Sequence, residues 1–180
     1  MLVSNSGEVL RLPVRFHPGK PHSGHEYAFL ERRFTPRTIF MEVGGADCDL
    51  ALHAASYVER VYAVDVSGHF IQNVLVPCNV RLVLCDGVRI PVPAASVDVA
   101  WGGAFMDQLH PDDADEHLKS VRRALVPGGE YVCRTGGSAR EVAERMIAAG
   151  FLRVRYYAGN LRVPGFSVLP TSLLRIAAIK

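Results

Sequence analysis

The stretch from Thr38 to Ser67 constrains this chain more than any other. Ile39 to Val43 is a short apolar run of β-formers, carrying an acid at Glu42 and opening into Gly44-Gly45. A buried parallel strand that ends in a loop reads this way. From Leu50 onward the apolar residues Leu50, Ala54 and Val58 keep the helical period. Val61 to Val64 is a second apolar run, and Asp65 stands at its end. Strand, glycine turn, helix and strand with a terminal acid make one half of an open α/β sheet that holds a nucleotide along its carboxyl edge. A carboxylate there can accept both hydroxyls of a ribose, and a hydrogen bond to a charged group contributes roughly 1.5–3 kcal/mol.

The glycine spacing is not that of the dinucleotide fingerprint, which needs Gly at the first, third and sixth positions after the strand. Those positions hold Gly44, Ala46 and Asp49, which argues against a nicotinamide-dependent oxidoreductase. The remaining elements follow in order. Ser67 caps a short helix with Phe70, Ile71 and Val74, and Pro77 ends it. Val80 to Cys85 is a third strand followed by Asp86-Gly87; Val97 to Trp101 is a fourth, broken by Gly102-Gly103. Pro111 to Leu125 is the clearest helix, with Ala114, Leu118, Val121 and Leu125 on one stripe. Its first turns are acidic and its last turn holds Arg122 and Arg123, which complements the helix dipole and explains the acid cluster without chemistry.

Leu125-Val-Pro-Gly-Gly129 turns the chain into a fifth strand, Glu130 to Arg134. Ser138 and Glu141 form a capping box for the next helix, and Gly150 closes it. Phe151 to Tyr157 and Ser172 to Ile179 are the last two strands, with a long loop from Ala158 to Thr171 between them. A connection without a helix makes that final pair antiparallel. The expectation is a doubly wound α/β fold: seven strands, mostly parallel, an antiparallel last strand, and helices on both faces. Residues 1–37 form an N-terminal arm and a short covering helix over Glu26 to Phe34, and residues 38–180 the main domain.

Composition narrows the function. The net charge of +2, with scattered Lys and Arg, gives no electrostatic footprint for nucleic acid. No apolar run approaches membrane-spanning length. Cys48, Cys78, Cys85 and Cys133 lie far apart without a Cys-x-x-Cys pair, and with no signal peptide they read as buried thiols in a reducing cytoplasm. His17, His22 and His25 cluster among Pro, Gly and Ser; three imidazoles can satisfy zinc, but a polar arm that carries histidines accounts for them as well, and no metal site is assigned.

An acid two residues before the first glycine, with small residues at alternate positions, resembles the first motif of the class I S-adenosylmethionine-dependent methyltransferases. Here that motif is Glu42, Gly44, Ala46 and Cys48, with two of three glycines replaced. The run Asp86-Gly-Val-Arg-Ile-Pro-Val-Pro resembles the family's third-strand acid and crossover, and Leu125-Val-Pro-Gly-Gly129 the turn of its small-molecule branch. The resemblance covers about residues 38–180 and implies S-adenosylmethionine as cofactor and a small-molecule acceptor. It implies that Glu42 orders the loop beneath the methionine part, while Gly44, Gly45 and Ala46 let backbone approach it. Asp65 would hold the ribose, with Val66 beside the adenine. Asp86 would accept from the adenine amino group, with a Gly87 or Val88 amide donating to the ring. Trp101 ends the fourth strand next to the methyl group. His110 is the candidate base by sequence order, with Asp107 second; Tyr27 and Asn160 could line the acceptor pocket. The thin cover implies either an exposed acceptor or a second subunit, a homodimer mate or another chain. A binding or regulatory subunit that has lost chemistry is the competing expectation.

Overall fold

The computed structural model describes residues 2–3, 9–10, 24–45, 48–66, 76–163 and 174–180. The helix expected after Ser67 falls outside these residues, as do Ala46, His17, His22 and the His25 side chain. Five apolar runs become the parallel body of one sheet: β3 (Ile39–Val43), β4 (Arg60–Asp65), β5 (Val80–Leu84), β6 (Val97–Trp101) and β7 (Leu125–Arg134). A short antiparallel pair, β1 (Leu2–Val3) and β2 (Val9–Leu10), forms a two-stranded sheet of its own. Strands β8 (Arg153–Ala158), β9 (Leu161–Val163) and β10 (Leu174–Ile179) complete the order β5-β4-β3-β6-β7-β10-β8-β9.

The expected antiparallel last strand is present, since β10 runs against both β7 and β8. The sheet has eight strands rather than seven. The extra one is β9, which folds back on β8 across Gly159 and Asn160, with Gly159 at φ +58. A two-residue turn whose first residue takes positive φ suits the right-handed twist of a hairpin, so part of the expected loop is sheet.

Among the described residues four α-helices cover the two faces: α1 (Gly24–Glu31), α2 (Asp49–Ala54), α3 (Pro111–Ala124) and α4 (Ala139–Ala148). Alternation along the strands sorts the core into two layers. Met41, Val43 and Val64 pack with Leu118 of α3 and Met146 of α4. Phe40, Val61 and Ala63 pack with Phe29 and Leu30 of α1 and Leu50 of α2. The stripe expected on α3 is buried, and its Arg123 donates from Nη2 to the carbonyls of Ile90 and Val92, both at 2.7 Å, clamping the Pro-bearing crossover. Ser138 Oγ accepts the Glu141 amide at 3.3 Å, as the capping box requires. Among the described residues no helix is long and apolar enough to cross a membrane.

Gly150 closes α4 at φ +93, and a Cβ there would lie 3.2 Å from Arg122 Nε, which donates to the Gly150 carbonyl. Gly150→Ala is therefore expected to lower stability by about 1–2 kcal/mol, the cost of left-handed backbone for an L-residue, measured by urea unfolding.

Candidate active site

Three neighbouring parallel strands end on one edge of the sheet, and each brings an acid there. Val43 is level with Val64, and Asp65 with Leu84, so the ends of β3, β4 and β5 line up. Glu42 lies on β3, Asp65 ends β4, and Asp86 follows β5.

Glu42 is buried, and its Oε2 accepts the Ala51 amide at 2.9 Å. That bond satisfies an N–H of the first turn of α2, which its own N-cap residue does not: Cys48 makes no side-chain cap bond. Cys48 stands at φ 59 and ψ 16, a conformation that costs a non-glycine residue roughly 1–2 kcal/mol. Its thiol is buried in the apolar layer with α1 and α2. The two glycines between these residues have different causes. Gly44 takes φ +73, and a Cβ on it would overlap the Phe105 ring. Gly45 has no positive φ; a Cβ there would overlap the Glu42 carboxylate instead. The Gly44 amide donates to the Val64 carbonyl at 2.8 Å, carrying the parallel ladder into the loop.

Asp65 is 6% exposed at the end of β4. Asp86 is exposed, and its Oδ1 accepts the amides of Arg89 at 2.6 Å and Val88 at 2.9 Å, which hold its carboxyl below the ordinary range. The Gly87 amide points to Cys85 Sγ at 3.3 Å, so both amides expected to meet a ligand donate within the loop itself. Cys85 lies between the acids: burial above all raises its thiol pKa, and the charges of Asp86 and Asp65 add to the rise. Gly87 takes φ +88, and a Cβ there would lie 3.1 Å from Val66 and 3.7 Å from the tip of the Phe105 ring. One aromatic ring thus spans from the Gly44 loop to the Gly87 loop. Val66 itself is half exposed.

Behind Phe105 lies a buried polar pair that the sequence reading missed. His117 of α3 is fully buried, and its Nδ1 is 3.0 Å from the Gly87 carbonyl. A carbonyl only accepts, so Nδ1 carries the proton, and Nε2 faces the Tyr131 hydroxyl at 3.5 Å. Tyr131 in turn fills the space over Gly102, where any Cβ would overlap its hydroxyl. Burial pushes the Tyr131 phenol well up and His117 down to about 4, so both stay neutral at pH 7. The sign of His117 was its position: it falls three residues after Ala114 and four before Val121, within the apolar stripe.

Trp101 ends β6 and is 4% exposed. Asp107 accepts Thr135 Oγ1 and the Gly136 amide, both at 2.7 Å, tying the loop after β6 to the loop after β7. His110 precedes α3 with its side chain 70% exposed, 3.7 Å from Asp112. Tyr27 packs on the His53 ring at 4.2 Å, and Asn160 sits in the β8–β9 turn on the same edge of the sheet, beyond β10, where the neighbouring Gly159 carbonyl accepts Arg175 Nη1 at 2.8 Å. Among the described residues no three His, Cys, Asp or Glu side chains are grouped to hold a metal.

Residues 40–129, half of the chain, match the family described as a methyltransferase domain. The chain belongs to that family. Its cofactor is S-adenosylmethionine. Solved structures share the fold at low identity. A chain of the complex between the Haloferax volcanii Trm112 methyltransferase activator and a methyltransferase is 16% identical over 86% of this chain and 88% of its own, with a TM-score of 0.66. An S-adenosylmethionine-dependent methyltransferase of Thermotoga maritima is 16% identical over 87% and 95%, at 0.61. Haemonchus contortus phosphoethanolamine N-methyltransferase 2, crystallised with S-adenosylmethionine, is 16% identical over 76% of this chain and 38% of its own, also at 0.61. No curated protein matches the chain. The donor set of this methyltransferase fits the cofactor: a strand-end carboxylate suits a ribose diol, Asp86 keeps Oδ2 outside its loop bonds, and Cys48 turns away into the core.

His117 gives the fold a pH dependence. The unfolded chain binds a proton near pH 6.5 that the folded chain takes up only near 4. Its contribution is full above about pH 6.5 and falls as the pH drops toward 4, by about 3 kcal/mol in all. Urea unfolding between pH 7.5 and 4.5 is expected to show this loss, and His117→Gln to flatten it.

Proposed function

We propose that this methyltransferase moves a methyl group from S-adenosylmethionine to a small-molecule acceptor. The observation that carries the reading is the convergence of Glu42, Asp65 and Asp86 at the ends of three adjacent parallel strands, around glycine loops braced by Phe105. Glu42 orders the loop under the methionine part by holding the Ala51 amide, while Gly44, Gly45 and Ala46 keep the backbone accessible. Asp65 accepts the ribose hydroxyls and Val66 flanks the adenine. Asp86 accepts from the adenine amino group through Oδ2, on a loop whose shape Gly87 and Val88 set. Trp101 stands beside the reacting centre.

When bound, the cofactor supplies a sulfonium methyl that is open to in-line displacement. The residues align the acceptor's nucleophile and keep water out. His110 is the proposed base, and with a 70% exposed imidazole it serves an acceptor that reaches the outer rim of the loop. A nucleophile that already lacks its proton needs no base.

A second reading keeps the fold and drops the chemistry, leaving a binding or regulatory subunit. Two observations favour it: the exposure of His110, and a strained Cys48 where the related motif carries glycine. That a neighbour of this fold is found in a complex with an activator supports a second chain docking here in either case. The four cysteines, none of them in a disulfide, suit a reducing compartment, and we place the protein in the cytoplasm.

Calorimetric titration separates the two readings. Saturable micromolar binding of S-adenosylmethionine and S-adenosylhomocysteine is expected, weakened about 10–100-fold in Asp65→Ala by loss of hydrogen bonds to a charged acceptor. Silence from the folded protein at millimolar ligand would establish the subunit without chemistry.

A further inference from the structure

A second group of charges lies on the α1 face of the same sheet edge. Arg134 is the last residue of β7, and Arg175 pairs with it from β10. Each lies two residues along its strand from a residue of the layer under α1, Val132 and Ala177, so their side chains leave the sheet on that face. Arg134 Nη1 lies 2.9 Å from Glu26 Oε1 of α1, and its guanidinium is 6.0 Å from the Trp101 ring centre. Arg33 packs on Phe29 at 3.9 Å and donates to Glu130 at 2.5 Å; Arg175 faces the same Phe29 ring at 4.9 Å. Among the described residues three guanidiniums here face two carboxylates.

The electrostatics carry the consequence. Arg175 is 6% exposed, and burial first, then the charges of Arg134 and Arg33, hold it below the ordinary guanidinium range, while Glu26 raises it. A guanidinium stays charged even so. A cationic group at the mouth of a site, with one nitrogen on an acid that it shares with Arg175, has donors left for an anion on the exposed end of its guanidinium. Arg134 presents them: its side chain is 40% exposed, whereas that of Glu26 is 6% exposed.

We propose that the methyl acceptor carries an oxyanion, carboxylate or phosphoryl, which Arg134, backed by Arg175, holds beside Trp101. The assignment of this edge to the acceptor rests on the methyl-transfer reading above; the anion site itself does not. The planar fork of Arg134 would orient the acceptor by a two-point contact, with its nucleophile toward the end of β6 and its anion toward β7. Glu26 competes with the ligand for the same guanidinium.

Trp101 is the only tryptophan and therefore reports on the site. The test titrates the full chain with inorganic phosphate and with benzoate, each at ionic strength matched by sodium chloride, and follows Trp101 fluorescence and the thermal midpoint. At least one anion is expected to give a saturable change in the millimolar range. Arg134→Gln should weaken it at least tenfold and Arg134→Lys less. Glu26→Gln should tighten it several-fold, a gain that a purely structural ion pair would not produce. Arg140→Gln, on the exposed face of α4, should leave it unchanged. Response to phosphate alone assigns a phosphoryl acceptor, and to benzoate alone a carboxylate. If neither anion exceeds the chloride control by either readout, or if Arg134→Gln binds as tightly as the parent, the proposal fails. Binding of S-adenosylmethionine is measured on the same samples: cofactor without anion binding overturns only the acceptor proposal, and anion without cofactor binding overturns the methyl-transfer reading and the assignment to an acceptor while leaving the anion site.

Discussion

The bond from Glu42 to the Ala51 amide holds the site together. A carboxylate 3% exposed must be satisfied where it lies, because an unpaired buried charge costs several kcal/mol. It is satisfied by the start of α2, so the strand that carries Glu42 and the helix that follows are joined across the loop between them. Gly45 exists to admit that carboxylate, and Gly44 to let the backbone turn back over Phe105. Cys48 then tolerates a left-handed backbone because its thiol is held in the core and because Glu42 performs the capping that Cys48 does not. The left-handed backbone at Cys48 is thus absorbed as local strain, in the manner expected where a well-packed surround fixes an unfavourable φ.

The same logic runs along the edge through neutral groups. His117 ties α3 to the Gly87 carbonyl, and Tyr131 extends the contact to Gly102. Two loops that end different strands are braced from below by one buried pair, with Phe105 lying over it at 5.2 Å from the His117 ring. Buried polar groups of this kind contribute little net energy each, about 0.5–1.5 kcal/mol, but leaving one unsatisfied is expensive. They therefore specify a geometry more than they stabilise a fold, and the geometry they specify is the shape of the sheet's carboxyl edge.

The strands and the acids were legible because each is local. A run such as Val61–Val64 ending in Asp65 needs nothing outside itself to be read, and the parallel register then brings the strand ends level. The eighth strand was hidden because Leu161–Val163 is three residues long and runs into Pro164 and Gly165, which argue for a loop; the hairpin turn at Gly159-Asn160 was the overlooked signal. The site residues divide in the same way. Glu42, Asp65 and Asp86 stand at readable strand ends. His117 stood inside a stripe that the eye assigns to core. Glu26, Arg134 and Arg175 are separated by more than a hundred residues at the extremes, and no period in the sequence links a covering helix to the ends of two antiparallel strands.

That last group changes what the covering helix is for. Phe29 and Leu30 of α1 are buried on the sheet, and their burial alone would justify the helix as a lid on the apolar layer. Glu26 adds an ion pair at the opposite end of the same short helix, and the pair stands at the rim, where Arg134 is partly in water. A surface pair contributes little to stability, whereas the buried acid needs its cation strongly. The dependence is lopsided: Glu26 needs Arg134 more than Arg134 needs Glu26. Any anion at the rim would have to compete with Glu26 for that guanidinium, and the same pair anchors the covering helix. Docking of α1 and the charge of this rim of the sheet therefore meet in one arginine, and the apolar layer beneath it keeps that arginine in place.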